Sequence, residues 1–356
     1  MRILIVENGY RDLILSRINL GKYLESRGHQ VYYACPNPKE SHYFHIPMNR
    51  NELSILQIFK STIKLSQIEK SNSIDIVLSF RLVPNILNYF SSFSNSNIRR
   101  TSVITGLGIA FTLQNLKYKI ISLGIKWFYM LSAYRLSIVT QNPDDLSSLN
   151  LSLKGSVVLG SGVSNKLKHP PKPMCNEVEP INLLYVGRLL QSKGIVEAIN
   201  IFKKISKDSS GFSLNIVGDV DKENPDSINE CDLNYIRENP SINYFGFVDD
   251  LHQIYSKSHI LLFPSKYREG VPRVIIEALS YGLTIVTNYM PGCKECVTKN
   301  GILIQKNGME DVTNYIKSID QKTLKSNSEI SKKLYEAKFS SEVIYPQYEK
   351  IILNYK

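Results

Sequence analysis

Apolar and polar positions follow two rhythms along this chain. Short continuous apolar runs bounded by Gly, Asn or Asp read as buried strands, and apolar residues three or four apart read as helices. MRILIVENGY reads as a strand and then a loop ending at Gly9. Leu13, Leu20 and Leu24 put a helix over Asp12–Arg27, which Gly28-His29 stops, and Gln30–Cys35 is a second strand. A helix over Ile55–Glu69 and strands at Ile74–Phe80 and Thr101–Thr105 follow. After a proline-rich stretch, His169–Pro180, the rhythm starts again with a strand at Ile181–Val186. Further strands are expected at Ser213–Val217, Ile260–Phe263, Thr284–Thr287 and Gly301–Gln305. Strands alternating with helices predict βαβ units and parallel sheets.

One such unit carries candidate chemistry. After Ile260–Phe263 comes a polar turn, Ser265 to Gly270, and then a helix with Pro272 at its first position. Val274, Ile275, Ala278 and Leu279 form its apolar stripe, and Gly282 ends it. Glu269 precedes this helix and Glu277 lies in its second turn. The N–H groups of Gly270 and Val271 sit at the positive end of the helix dipole, where an anion is favoured. Acceptors for hydroxyls beside donors for a phosphate suit a nucleotide sugar. Taken alone, the two glutamates read as a dipole complement, Glu269, and a solvated helix residue, Glu277. Gly187-Arg188 and Lys193 form a second candidate, two cations in one loop ahead of a helix, which suits a diphosphate.

Composition sets wider bounds. A chain of 356 residues with 43% hydrophobic and 21% charged residues is expected to fold as two domains with full cores. MRILIVENGY lacks the features of a signal peptide, and no apolar run approaches the roughly 20 residues of a membrane span. A cytoplasmic location is expected, with peripheral attachment to the inner face of the cell membrane left open. Five scattered cysteines suit a reducing compartment. Cys293 and Cys296 form a C-x-x-C without a second pair nearby, which argues poorly for zinc. The net charge is +11, and residues 1–165 hold 18 Lys/Arg against 9 Asp/Glu, a net of +9. A basic first half implies an anionic partner, and nucleic acid rests on that charge alone. Leu116–Ile138 mixes Lys117, Lys119, Lys126 and Arg135 with Trp127, Phe128 and Tyr129. It fits either a helix packed on the first sheet or an element meeting an anionic membrane surface.

With these residues in view, the chain resembles a known family. EGVPRVIIEALSYG followed by MPGCKE, with seven residues between Glu269 and Glu277, looks like the E-x7-E motif of retaining glycosyltransferase family 4. Its members that build bacterial surface polysaccharides and lipid-linked oligosaccharides are the most similar. The resemblance implies an α/β fold of GT-B type, two Rossmann-like doubly wound parallel-sheet domains facing a central cleft. Residues 1–168 would be the acceptor domain, with a C-terminal helix at about 341–356 returning to it, and 169–340 the donor domain. TQNPDDLSSL and LGSGVSN match the end of the first domain.

The resemblance also implies roles. Arg188 and Lys193, with Gly187, would bind the donor diphosphate and offset charge on the leaving β-phosphate. Glu269 would orient the sugar, with the amides of Gly270 and Val271 beside Pro272 on sugar or phosphate, and Glu277 would hold the ribose. Gly9 would face acceptor and donor phosphate, Gly218 would border the site, and Val248 would touch the base. Gly106 and Gly108 stand where many members carry a histidine, and Ser16 where many carry another. Asp219-Val220-Asp221 is formally a D-x-D, but its loop resembles a family loop that binds no metal, so no cofactor is expected. The implied reaction is retaining transfer of a hexose or N-acetylhexosamine, from a UDP-sugar by family habit. The acceptor would be polyprenyl-diphosphate-linked or another glycan of a capsule, O-antigen or similar polymer. The alternatives are a nucleotide-sugar epimerase of the same fold and a non-catalytic subunit supporting a partner enzyme.

Overall fold

The computed structural model describes residues 1–48, 54–113, 115–164, 180–207, 211–305 and 308–354. The chain forms two compact units, Met1–Ser164 with Ser340–Lys356, and Asn165–Phe339. Of the proline-rich stretch, residues 169–179 lie outside the described residues.

The first unit holds strands β1 (Arg2–Val6), β2 (Gln30–Cys35), β3 (Phe44–His45), β4 (Ile76–Phe80), β5 (Arg99–Ile104), β6 (Ser137–Thr140) and β7 (Gly155–Val157). Its helices up to β7 are α1 (Tyr10–Ser16), α2 (Ile18–Ser26), α3 (Ile55–Ser71), α4 (Leu82–Ser91), α5 (Leu116–Ser132) and α6 (Pro143–Ser148). All sheet pairs are parallel, in the order β3-β2-β1-β4-β5-β6-β7. The strands are apolar on both faces because helices cover both, as Ile3 to Val6 show by their complete burial.

The helix expected over Asp12–Arg27 is two helices that meet at Arg17, where φ is −117°. The Arg17 side chain is buried and its Nε donates to Glu7 Oε2 at 2.8 Å. Glu7 is also fully buried, so removing its carboxylate leaves the buried Arg17 charge without a counter-ion in the core. Arg81, at φ 73°, reaches Glu7 Oε1 at 3.2 Å and Asp12 Oδ1 at 2.8 Å from the end of β4. A second buried pair, Arg100 with Glu69, is bidentate at 2.8 and 3.0 Å and ties α3 to β5.

The second unit holds β8 (Ile181–Val186), β9 (Phe212–Val217), β10 (Ile242–Tyr244), β11 (Ile260–Phe263), β12 (Thr284–Asn288) and β13 (Gly301–Ile304). Helices α7 (Ile195–Ser206), α8 (Glu230–Glu238), α9 (His252–Lys257), α10 (Arg273–Ser280), α11 (Met309–Lys317) and α12 (Gln321–Lys338) surround them. The order is β10-β9-β8-β11-β12-β13, again all parallel. Succession runs outward in one direction from β8 and in the other from β11. The crevice beyond the carboxyl ends of these two strands is therefore the topological switch point, where open α/β sheets bind ligands. The last helix, α13 (Ser341–Leu353), belongs to the first unit, where Ile344, Tyr345, Tyr348 and Ile352 enter the core beside Ile3, Ile5 and Leu13. Among the described residues, no helix is long and apolar enough to cross a membrane.

Candidate functional site

Loops gather at the carboxyl edge of the second sheet, and close backbone contacts set their shape. Gly187 N donates to Val217 O at 2.9 Å, and Gly218 N donates to Gly246 O at 2.7 Å. A Cβ on Gly218, whose φ is 141°, would lie 1.9 Å from Gly187 O. The chain therefore needs glycine there to seat the turns after β8 and β9 against each other. Gly194, at φ 84°, likewise holds the start of α7 against the turn after β11, since a Cβ would fall 2.1 Å from Pro264 O.

The loop from Gly187 to Lys193 is thereby held on three sides. The buried Tyr185 hydroxyl lies 3.2 Å from Arg188 O and 3.4 Å from Lys193 O. Leu189 N donates to Asp219 O, Gln191 N to Asp226 O, and Ser192 N to Asp226 Oδ2. Lys266 N donates to Ser192 O from the turn after β11. Lys193 is thus aimed across the switch point, where its ammonium pairs with Glu269 Oε1 and lies 5.0 Å from the centre of the Tyr267 ring. Arg188 is more open, with Nη1 2.9 Å from Asp221 Oδ2. Asp221, the second acid of the D-x-D, is engaged by that guanidinium. Among the described residues, no group of three or more His, Cys, Asp or Glu could hold a metal ion.

Glu269 leads into α10. Pro272 caps the helix at φ −62°, ψ 123°, so the helix begins one residue later than expected, and the Pro272 carbonyl accepts from Ile275 N and Ile276 N. Its ψ is extended because the chain is still leaving the turn, so it acts as a cap rather than a first helical residue. The turn is pressed against a neighbouring one: a Cβ on Gly292 would lie 1.8 Å from Gly270 O. Gly270, Val271 and Pro272 are buried, while Glu269 is half-buried. Cys293 beside that turn and Cys296 are completely buried. Burial pushes the Cys293 thiol up to about 12 and the Cys296 thiol well above its ordinary value, so both stay protonated as packed turn residues.

Glu277 has different partners. Its Oε1 accepts from Arg273 Nε at 2.7 Å, and its Oε2 accepts from the Tyr255 hydroxyl at 3.1 Å. Tyr255 is buried, and its hydroxyl pKa is raised first by desolvation and then by Glu277. Its ring stacks on Tyr281 at 5.1 Å between centroids. Val248 is half-buried two residues beyond Gly246, between the exposed ring of Phe247 and Asp249.

The structure thus brings Lys193 and Glu269 together and puts Arg188 on the same loop as Lys193. Gly187, Gly218, Gly270, Val271 and Pro272 form the adjoining backbone, with Glu277 on α10. Gly9 lies in the first unit, after β1, with extended φ −167° at the cap of α1. Gly106 and Gly108 also belong to that unit, with φ 112° and 63°. Sequence reading missed Tyr185, Gly246 and Tyr255. Only Gly246 left a trace, as a glycine after a strand; the two tyrosines read as ordinary apolar positions.

Residues 180–321 match the family of glycosyl transferases group 1. The matched stretch holds Arg188, Lys193, Glu269 and Glu277. Over 321 residues the chain is 25% identical to a capsular polysaccharide biosynthesis glycosyltransferase, CapM, of Staphylococcus aureus, covering 85% of this chain and 83% of that protein. Among solved structures, a sucrose-phosphate synthase from Thermosynechococcus elongatus matches with TM-score 0.78 at 16% identity, over 99% of this chain and 98% of the other. HepE of Anabaena, solved in complex with UDP-glucose, matches with TM-score 0.74 at 15% identity over the whole of both chains. These structures share the fold, GT-B. Residues 180–321 are thus similar to group 1 glycosyl transferases, and a relative matching most of the chain is a capsular polysaccharide glycosyltransferase.

Proposed function

We propose that the protein is a retaining glycosyltransferase of family 4 type. It moves a hexose or N-acetylhexosamine from a nucleotide-diphosphate sugar, taken as UDP, to a lipid-linked or growing oligosaccharide of a bacterial surface polysaccharide. It works on the cytoplasmic side, at the membrane surface where such acceptors are held. The observation that carries this reading is the meeting of Lys193 and Glu269 at the switch point of the second sheet. A cation for a phosphate and an acceptor for sugar hydroxyls there are adjacent, as the two halves of a sugar diphosphate require.

On this reading Lys193 and Arg188 stabilise the negative charge that builds on the β-phosphate as the glycosidic bond breaks, a charge-selective effect that lowers the barrier. Glu269 accepts from sugar hydroxyls and aligns the anomeric carbon. The Gly270 and Val271 amides sit at the start of α10, where the dipole favours the anion. Glu277, oriented by Arg273 and Tyr255, accepts from the two ribose hydroxyls. Val248 borders the base. No step uses a metal.

The test incubates the purified protein with a panel of UDP-, GDP- and ADP-sugars and a polyprenyl-diphosphate-linked acceptor, followed by product mass and anomeric configuration by NMR. Transfer from a UDP-sugar with retained configuration is the expected result. Inversion overturns the mechanism. Interconversion of the nucleotide sugar without acceptor establishes an epimerase instead.

A further inference from the structure

The first unit carries an apolar face that its own core does not explain. Helices α3, α4 and α5 leave a groove of about 1180 Å³, lined by Ile58, Ile63, Ile86, Phe90, Phe93 and Phe128 among others. Beside the groove, the outer row of α5 is also apolar. Leu116, Ile120, Leu123, Trp127 and Leu131, with Tyr134 just past the helix end, recur at spacings of three and four and are each more than half exposed. On α3, Ile55 is 84% exposed and Phe59 65%. Contiguous apolar surface on this scale marks an interaction site rather than scattered surface residues.

The charges around it have one sign. Residues 54–143 contain ten Lys or Arg and two acids, Glu69 and Asp75, a net of +8. Glu69 is buried against Arg100, and Asp75 sits ahead of β4, accepting from Arg2 N. Exposed on the helices of the face are Lys60, Lys64 and Lys70 of α3 and Lys117 and Lys119 of α5. By helical spacing Lys119 and Lys126 flank the apolar row of α5 on the side away from the groove.

We propose that this face docks on an anionic lipid bilayer, with the groove receiving a hydrocarbon chain of a bilayer lipid and the lysines level with the headgroup phosphates. Apolar rows carrying Trp, Phe and Leu and bordered by Lys are the composition that lies in a membrane interface. The lysines draw the face to anionic headgroups and the apolar rows hold it there. A second copy of this chain is a poor occupant, since it would set lysines against lysines. Nucleic acid would satisfy the lysines but leave the groove and the α5 row in water. The inference deepens the proposed function by fixing where the membrane side of the enzyme is. It rests on that reading only for its purpose, because docking needs neither donor nor turnover.

Trp127 is the single tryptophan of the chain and lies in the apolar row, so it reports insertion directly. Full-length protein is mixed with vesicles of phosphatidylcholine alone or with phosphatidylglycerol, then floated, and its emission is recorded. Flotation with the mixed vesicles only, released by salt, with a blue shift and quenching by brominated acyl chains, is expected. Phe59→Ser with Ile63→Ser should weaken vesicle binding about tenfold or more, and Lys60→Glu with Lys64→Glu should remove the anionic preference. Circular dichroism and UDP binding should be unchanged in both. No flotation with anionic vesicles overturns the proposal, as does Trp127 left open to aqueous acrylamide on vesicles. Self-association, or capture of an acidic protein through this face in place of lipid, overturns it too. Vesicle binding without any sugar transfer sinks the transferase reading and leaves this one. Transfer to a soluble acceptor without vesicle binding does the reverse.

Discussion

Lys193→Ala separates a catalytic charge from a structural one. In the free protein Lys193 pairs with Glu269, with side chains 22% and 16% exposed. An ion pair in partial contact with water contributes about 0–1 kcal/mol to stability. In a domain of this size that is a fall in Tm of at most about 2–4 °C. The alanine also leaves Glu269 in a place it can rehydrate, so no large burial penalty follows. The effect on catalysis has another scale. Removing one preorganised group that meets developing charge costs about 2.7–4 kcal/mol in the barrier, or roughly 10² to 10³ in kcat. The fall should appear mainly in kcat, because the charge on the β-phosphate grows only as the sugar departs. Initial rates of nucleoside diphosphate release against donor concentration, beside a thermal melt, measure both quantities on one preparation. Transfer within about twofold of wild type at unchanged Tm would refute the diphosphate assignment. A Tm drop well beyond the few degrees above would show that the pair is structural, and the electrostatic argument would fail with it.

Other consequences follow from the same geometry. Tyr255→Phe removes the hydroxyl that donates to Glu277, a hydrogen bond to a charged group worth about 1.5–3 kcal/mol, and should weaken UDP binding in calorimetry without abolishing it; unchanged affinity counts against Glu277 as the ribose ligand. Gly218→Ala meets Gly187 O at 1.9 Å and holds alanine at φ 141°, so it should cost about 1–3 kcal/mol in urea denaturation and lower activity with it; a silent mutant would show that the two turns are not locked together. Maleimide at neutral pH should label the exposed Cys231 and spare the buried Cys293 and Cys296 until the protein is unfolded, read by peptide mass. The same raised thiol gives a pH dependence. Cys293 stays protonated to about 12 when folded but ionises near 9 when unfolded, so its share of stability is complete below pH 9 and is lost as pH climbs toward 12. A denaturation midpoint that rises over that range in wild type relative to Cys293→Ala would contradict its burial.

Much of the fold was present in local pattern. The run Ile260–Phe263 became a central parallel strand because a run apolar at every position can be accommodated only where both faces are covered. The EGVP turn and the helix after it were also legible, since glycine, proline and helical spacing act over a few residues. Tertiary structure decided what depends on partners far along the chain. Lys193 and Glu269 are 76 positions apart and meet only because β8 and β11 are neighbours in the sheet. The break at Arg17 came from a buried Glu7 that no periodicity announces, and Tyr255 became a partner of Glu277 through the packing of α9 on α10. The apolar rows of α3 and α5 had the spacing of ordinary buried helix faces; only the packed fold, with its core already filled, left them facing outward. Spacing tells which residues share a face, and the remainder of the chain determines whether that face is covered.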